Sequence, residues 1–376
     1  MSGSSPCVLL PQHPPQRIAL VSSHLGRWPH RRRDWFAALS TVCGELLTAG
    51  STLLCVSGTT SASYLQRCAE LFGHTVESKE VQGVARSDRD RLAVCDADTV
   101  IVLATRSRSR TESLIDDLLD RPAGQRPELC FAGIETLVPA PIASRWESLG
   151  AHRFVPHVDA LLAPQPGPSA VRLATVREVD SADWLVHCTR ECSGPWPGQS
   201  SEDYLDDLIL GRASADHSVG STLRRILVER RLRAVSRPVR GAAPAVSFST
   251  CPLQELASRR IFRAHRGRWD FEPFGLAISR DWLIARGARP VVYRSRAELV
   301  GDDPFEQPAR SRGAGGLDWT AEHEWRHPGD VDLSQLPPEC GLVLVGSDSD
   351  VAAVAGQGCW GVLVVGRFRQ DETEVQ

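Results

Sequence analysis

Between Arg17 and about residue 138 the chain alternates short apolar runs with amphipathic stretches of helical length, and no other feature narrows the possible folds so sharply. RIALVSS is followed by DWFAALSTVCGELLTAG, and STLLCVSGTT by SASYLQRCAELFG and HTVESKEV. The apolar run in STLLCV suits a strand buried on both faces, while Tyr64, Leu65, Cys68, Ala69 and Phe72 recur at helical spacing. DRDRLAVCDADTVIVLATRSRSRTESLIDDLLDRPA and ELCFAGIETLVP extend the series through helix, strand, helix and strand. Alternation of this kind predicts a doubly wound parallel sheet, a Rossmann-like α/β domain of five strands over residues 17–138.

The segment 139–171, PAPIASRWESLGAHRFVPHVDALLAPQPGPSA, is rich in proline and reads as a linker. Beyond it the texture changes. YLDDLILG and TLRRILVERRLRA are helical, and several strands separated by turns follow, which predicts a second, α+β domain over residues 172–366. A chain of 376 residues with 42% hydrophobic content accommodates two such cores.

Lys+Arg number 43 against Asp+Glu 46, so the net charge of -3 gives no overall pull toward nucleic acid. Lys79 is the only lysine, and two arginine runs stand out, RWPHRRR at 27–33 and RSRSR at 106–110. Their forked guanidinium groups suit phosphate, and the plainer reading is a solvated surface. The 11 cysteines form no disulfide framework, and several sit in apolar runs where a thiol behaves as a small hydrophobe. That usage points to a reducing, cytoplasmic setting. The N-terminal residues do not read as a secretory signal, and no apolar stretch reaches the roughly 18–20 residues of a membrane span, so neither secretion nor membrane association is expected.

Polar residues gather just after the strand ends of the first half: Ser22, Ser23, Ser57, Gly58, Thr59, Thr60 and Thr105. Doubly wound folds place ligands there. Ser57, Gly58, Thr59 and Thr60 are the candidate phosphate contacts, with helix capping as the competing role of such hydroxyls. Neither G-x-G-x-x-G nor a Walker lysine is present, which argues against a standard dinucleotide or P-loop site. RIALVSSHLGR, LLTAGSTLLCVSGTTSAS and RCAELFG resemble the Rossmann-like family of DprA and the lysine-decarboxylase-like LOG proteins. That resemblance implies a nucleotide-type small-molecule ligand and a sensing role.

In the second half, LVHCTR sets His187 and Thr189 on one side of a strand, VSFS does the same for Ser247 and Ser249, and EHEWR for Glu322, Glu324 and Arg326. A strand-borne glutamate near a histidine could stabilise an oxocarbenium-like transition state and activate an acceptor. Cys188 and Cys192 beside His187 lack the further pair that a closed zinc site needs, so no metal is expected. The arginine-aromatic loop HRGRWDFEPFG could stack a base or serve as a hydrophobic plug.

The segments around Ser247–Ser249, Phe274–Leu283 and Glu324–Arg326 resemble the ADP-ribosyltransferase fold and the AbiG-type abortive-infection proteins of phage defence. The resemblance implies NAD as substrate, with Glu324 and His187 catalytic and Thr189, Ser247, Ser249 and Arg326 gripping the ribose and phosphate. The leading expectation is therefore a two-domain protein that senses a nucleotide with one half and acts on NAD or a nucleotide with the other, as an ADP-ribosyltransferase or NAD glycohydrolase. The alternative is a non-enzymatic regulatory or antitoxin-like protein that binds a protein partner. A shared cleft for His187 and Glu324 favours the enzyme, and separate faces favour the binding protein.

Overall fold

The computed structural model describes residues 16–366 apart from 27, 49, 86–87, 158–170, 176–182, 236–243, 254, 256–261, 264–267, 270, 296, 300–302, 310–319 and 321–322. The chain forms two compact units. Unit 1 combines Met1–Leu161 with Ser193–Asp216, and unit 2 combines Leu162–Cys192 with His217–Gln376.

Unit 1 is built on six strands: β1 (Arg17–Ser22), β2 (Thr52–Val56), β3 (Thr75–Lys79), β4 (Thr99–Ala104), β5 (Glu128–Ala132) and β6 (His152–Phe154). They lie in the order β3-β2-β1-β4-β5-β6, and every neighbouring pair is parallel. This is the doubly wound order whose direction reverses between β1 and β4. All six residues of β4 and five of the six in β1 are buried, as expected for central strands covered by helices on both faces. The helices are α1 (Arg33–Thr41), which runs on through one π-helical turn at Val42–Leu46, α2 (Ala62–Phe72), α3 (Arg89–Cys95), α4 (Arg110–Leu119) and α5 (Ala140–Ser148). Helix α2 stops where Gly73 takes a left-handed conformation at φ 75°, and the His74 amide donates to the Ala69 carbonyl.

The sheet has six strands where the sequence suggests five. The expected linker contributes α5 and β6, with Pro139 at the N-cap of α5, Trp146 fully buried and packed edge-on against Phe131 at 5.7 Å, and β6 paired with β5. A proline just ahead of a helix starts it rather than breaking it. A second departure concerns α6 (Ser201–Ile209), which follows the first strand of the second half yet packs on α1 and α2 of unit 1. Tyr204, Leu208 and Ile209 join the core that holds Trp35, Phe36 and Leu65. Arg67 of α2 grips Asp206 with two hydrogen bonds, Nε to Oδ1 at 2.6 Å and Nη2 to Oδ2 at 2.8 Å. Those bonds hold the Asp206 carboxyl below the usual aspartate range. The benefit is present above the ordinary aspartate pKa and fades as pH falls through the depressed folded value.

Unit 2 contains strands β7 (Trp184–Cys188), β8 (Arg231–Leu232), β9 (Ala245–Ser249), β10 (Phe262–Arg263), β11 (Arg268–Trp269), β12 (Gly275–Ser279), β13 (Arg289–Pro290), β14 (Val292–Arg294), β15 (Glu306–Pro308), β16 (Glu324–Pro328), β17 (Val331–Asp332), β18 (Gly341–Val345) and β19 (Gly361–Val364). Seven of them form a mixed sheet in the order β13-β16-β9-β7-β12-β18-β19, antiparallel throughout except for β18 with β19. One face carries Leu185, Val246, Phe248, Leu276, Ile278, Val343 and Val345, which pack with Leu223 and Leu227 of helix α7 (Val219–Glu229). The other carries Val186, Ala277, Leu342, Leu344 and Leu363, with Cys251, Leu253 and Val365 against them. Helix Arg280–Ile284 follows β12, and helix Asp348–Val354 lies between β18 and β19. No helix among the described residues is long and apolar enough to cross a membrane.

Two outcomes test this architecture. Leu208→Ala removes a side chain that is only 4% exposed and should cost roughly 2–5 kcal/mol in chemical denaturation, whereas a near-zero change would mean that α6 does not dock on unit 1. Among the described cysteines, Cys95 and Cys359 are exposed, while Cys43, Cys55, Cys68, Cys130 and Cys251 are buried. Burial, then the nearby Glu128, pushes the Cys130 thiol up to about 12, and the Cys68 thiol is raised by its contact with Cys43 and by burial. A thiol reagent at neutral pH should label Cys95 and Cys359 first and reach those five only after unfolding, as mass spectrometry of the labelled chain would read out.

Candidate functional site

The residues proposed for chemistry in unit 2 divide between the two faces of its sheet. Glu324 pairs across β16 and β9 with Ser249, and Arg326 with Ser247. Ser249 also pairs with Val186, which lies on the face away from α7. Since directly paired residues share a face, Ser247, Ser249, Glu324 and Arg326 come together there. His187 pairs with Leu276, and its ring meets Phe248 edge-on at 5.7 Å, both partners belonging to the α7 side. The structure therefore does not unite His187 and Glu324: they project from opposite faces. Side chains alternate along each strand, so the register that aligns Glu324 with Ser249 places His187 on the other side.

The chemistry of each group follows from its contacts. Arg326 and Glu324 form a two-pronged ion pair, Nε to Oε1 at 3.0 Å and Nη2 to Oε2 at 3.1 Å, with both side chains under 10% exposed. Arg326 Nη1 donates to the Pro304 carbonyl. Both carboxylate oxygens thus accept from one guanidinium, and that arrangement suits a clamp better than a general base. His187 Nδ1 lies 2.9 Å from the Ser247 carbonyl oxygen, and the Thr189 hydroxyl donates to the Phe274 carbonyl at 3.1 Å. The Ser249 hydroxyl accepts from the Cys251 amide at 3.0 Å. Glu322 lies outside the described residues.

The carboxyl edge of the unit 1 sheet is assembled differently. Here β1 and β4 stay paired, through a bulge between Val21 and Ser22, up to Ser22 and Ala104, and just past the end of β1 the Ser23 amide donates to the Ala104 carbonyl. Fully buried Trp35 donates through Nε1 to the Ser22 hydroxyl at 2.8 Å, which anchors α1 to the end of β1. Across the gap Ser23 Oγ stands 3.3 Å from Thr111 Oγ1, and Arg106 Nη2 donates to the His24 carbonyl at 2.8 Å. Thr105 Oγ1 lies 3.0 Å from Ser109 Oγ, and Ser109 caps α4 by accepting from the Glu112 amide.

Strand order brings both arginine runs to this edge. Arg31 precedes α1, Arg32 is its N-cap and Arg33 its first residue. Arg106 and Arg108 lie in the β4–α4 turn, Arg108 at φ 58°, and Arg110 opens α4. Trp28 sits under the Arg31 guanidinium at 5.6 Å, so the β1–α1 loop presents an arginine-aromatic pair. One strand further out lie the other candidates. Ser57 Oγ accepts from the Val81 amide, Thr59 Oγ1 donates to the Val56 carbonyl, Gly58 has φ 77° and Thr60 precedes the α2 N-cap Ser61. Ser61 spends its hydroxyl on the Leu20 carbonyl at 2.9 Å.

Arg89 is the residue that sequence reasoning missed. Its Nη1 donates to the Ser57 carbonyl at 3.0 Å and its Nε to the Val84 carbonyl at 3.4 Å, which places the guanidinium over Gly58. It begins α3, more than thirty residues along the chain from Ser57, and no local pattern distinguishes it from its neighbours. Among the described residues, no cluster of three or more His, Cys, Asp or Glu could hold a metal ion. No family model matches the chain, and no curated protein matches it.

If the Glu324 to Arg326 pair is a buried clamp, Arg326→Ala strands a carboxylate and should lower stability by about 3–5 kcal/mol in urea denaturation. A loss below about 1 kcal/mol would instead place the pair among weakly contributing, solvated ones.

Proposed function

We propose that unit 1 binds a phosphorylated, nucleotide-type small molecule at the carboxyl edge between β1 and β4, and that unit 2 serves as a non-enzymatic binding body in a regulatory protein. The observation that carries the first part is the convergence of the two arginine runs on the point where the strand order reverses. Doubly wound sheets bind ligands in that crevice, and guanidinium groups match phosphate oxygens in geometry and charge. Trp28 offers a face for a base, and the Ser23 and Thr105 hydroxyls lie in the loops that follow β1 and β4. The second part is supported by the opposite faces of His187 and Glu324 and by the engagement of both Glu324 oxygens with Arg326.

A second reading retains one specific support, the gathering of Ser247, Ser249, Glu324 and Arg326 on a single face. In that reading unit 2 acts on NAD as an ADP-ribosyltransferase or NAD glycohydrolase in phage defence, with Glu324 as the carboxylate. It then works without His187.

The deciding experiment is titration of the full chain with ADP, ATP and NAD, followed by tryptophan fluorescence and calorimetry, with release of nicotinamide assayed in parallel. Saturable binding is expected without nicotinamide release. It should weaken at least about tenfold in Arg31→Ala and in Arg106→Ala, the size of one lost charge-assisted hydrogen bond. Absence of binding to all three ligands overturns the reading of unit 1. Nicotinamide release that vanishes in Glu324→Gln restores the enzyme.

A further inference from the structure

The end of β2 makes a narrower statement about the ligand. In doubly wound nucleotide sites the adenosine ribose rests at the end of the second strand. A carboxylate there binds the free ribose hydroxyls, whereas an arginine there accommodates a 2′-phosphate. Here β2 ends at Cys55 and Val56, Ser57 and Gly58 follow in the turn, and none of these residues is an acid. An arginine takes that place instead. Arg89 is held from two sides, by Nη1 on the Ser57 carbonyl and Nε on the Val84 carbonyl, and its Nη2 has no hydrogen bond among the described residues.

Gly58 is what admits it. A Cβ at this position would lie 1.7 Å from Arg89 Nη1, and the backbone φ of 77° independently favours glycine. The glycine leaves the space that the guanidinium occupies, and the two carbonyl contacts of Arg89 hold it there. The Ser57 hydroxyl, accepting from the Val81 amide at 3.3 Å, still has a proton to donate to a phosphate oxygen. Of the carboxylates on the neighbouring strand and beyond, Glu77 is bound to Arg17 and Asp96 to Lys79. Glu80, just past β3 and close enough to Cys55 to raise its thiol after burial has done so, is the group that would favour an unmodified ribose.

We propose that the ligand of unit 1 carries a phosphate monoester on the 2′ position of its adenosine ribose, held by Arg89 and Ser57. The proposal rests on the reading of unit 1 as a nucleotide site. Arg89 and the switch-point arginines are then two phosphate positions, one for the ribose phosphate and one for the 5′-phosphate or pyrophosphate.

The test is calorimetric titration of the full chain with adenosine 2′,5′-bisphosphate, adenosine 3′,5′-bisphosphate, AMP, NADP+ and NAD+, repeated with Arg89→Ala and Glu80→Gln. The 2′-phosphorylated member of each set is expected to bind at least about tenfold tighter than its unphosphorylated counterpart. Arg89→Ala should reduce that ratio to near one, and Glu80→Gln should preserve or raise it. Equal affinities in the parent protein, a preference for the 3′ isomer, or a ratio that survives Arg89→Ala overturns the 2′ assignment and leaves the nucleotide reading standing. If none of the five ligands binds, both fall. The parent comparison decides the matter even if Arg89→Ala fails to fold.

Discussion

Everything at the polar edge of unit 1 depends on β1 and β4 lying side by side with both faces covered. Strands buried in that way have no room for polar side chains along their length. Polar groups must therefore collect where the strands stop, and parallel pairing sends all the carboxyl ends to one edge. The break in strand order then opens that edge between β1 and β4. The hydrogen bond from Trp35 to Ser22 fixes how α1 leaves the sheet, and with it the position of the three arginines that precede and begin the helix. Interior packing thus dictates where cationic groups can meet.

The sequence made the alternating segments plain because each carries its own local signal. Tyr64, Leu65, Cys68, Ala69 and Phe72 mark α2 by spacing, and the apolar run at Leu53–Val56 marks β2 by continuity. What was hidden depended on long-range pairing. β6 is three residues long, sits at the sheet edge and follows a proline-rich approach, so no periodicity could form. α6 reads as an amphipathic helix wherever it docks, and only packing assigns it to α1 and α2. Arg89 acquires meaning only once the β3–α3 connection is laid beside the end of β2.

Unit 2 shows the same boundary between local and long-range information. Alternation along a strand groups Ser247 with Ser249 and Glu324 with Arg326, as the register bears out, since that period is a property of each segment alone, whereas Thr189 lies just past the end of β7. Which groups share a face is a property of register. The pairing of Val186 with Ser249 joins the serines to the glutamate and arginine and excludes the histidine. A shift of one residue would have produced the opposite grouping. His187 is instead packed edge-on against Phe248, where an imidazole contributes aromatic contact to a core.

The path of the chain also has a temporal meaning. Unit 1 possesses all six strands once residue 154 has been made, yet the helix that covers α1 and α2 spans Ser201–Ile209, beyond the first strand of unit 2. During synthesis at about 5–20 residues per second, the sheet must wait roughly three to ten seconds with that apolar surface uncovered. β7 leaves the ribosome in the same interval, before any of its partners in the seven-stranded sheet exists. Its neighbours β9 and β12 arrive only after unit 1 can close. In this interleaved order the first strand of unit 2 precedes the last helix of unit 1, and a chain that stops between Cys188 and Ser201 exposes a sheet-forming segment and an open helix face at the same moment.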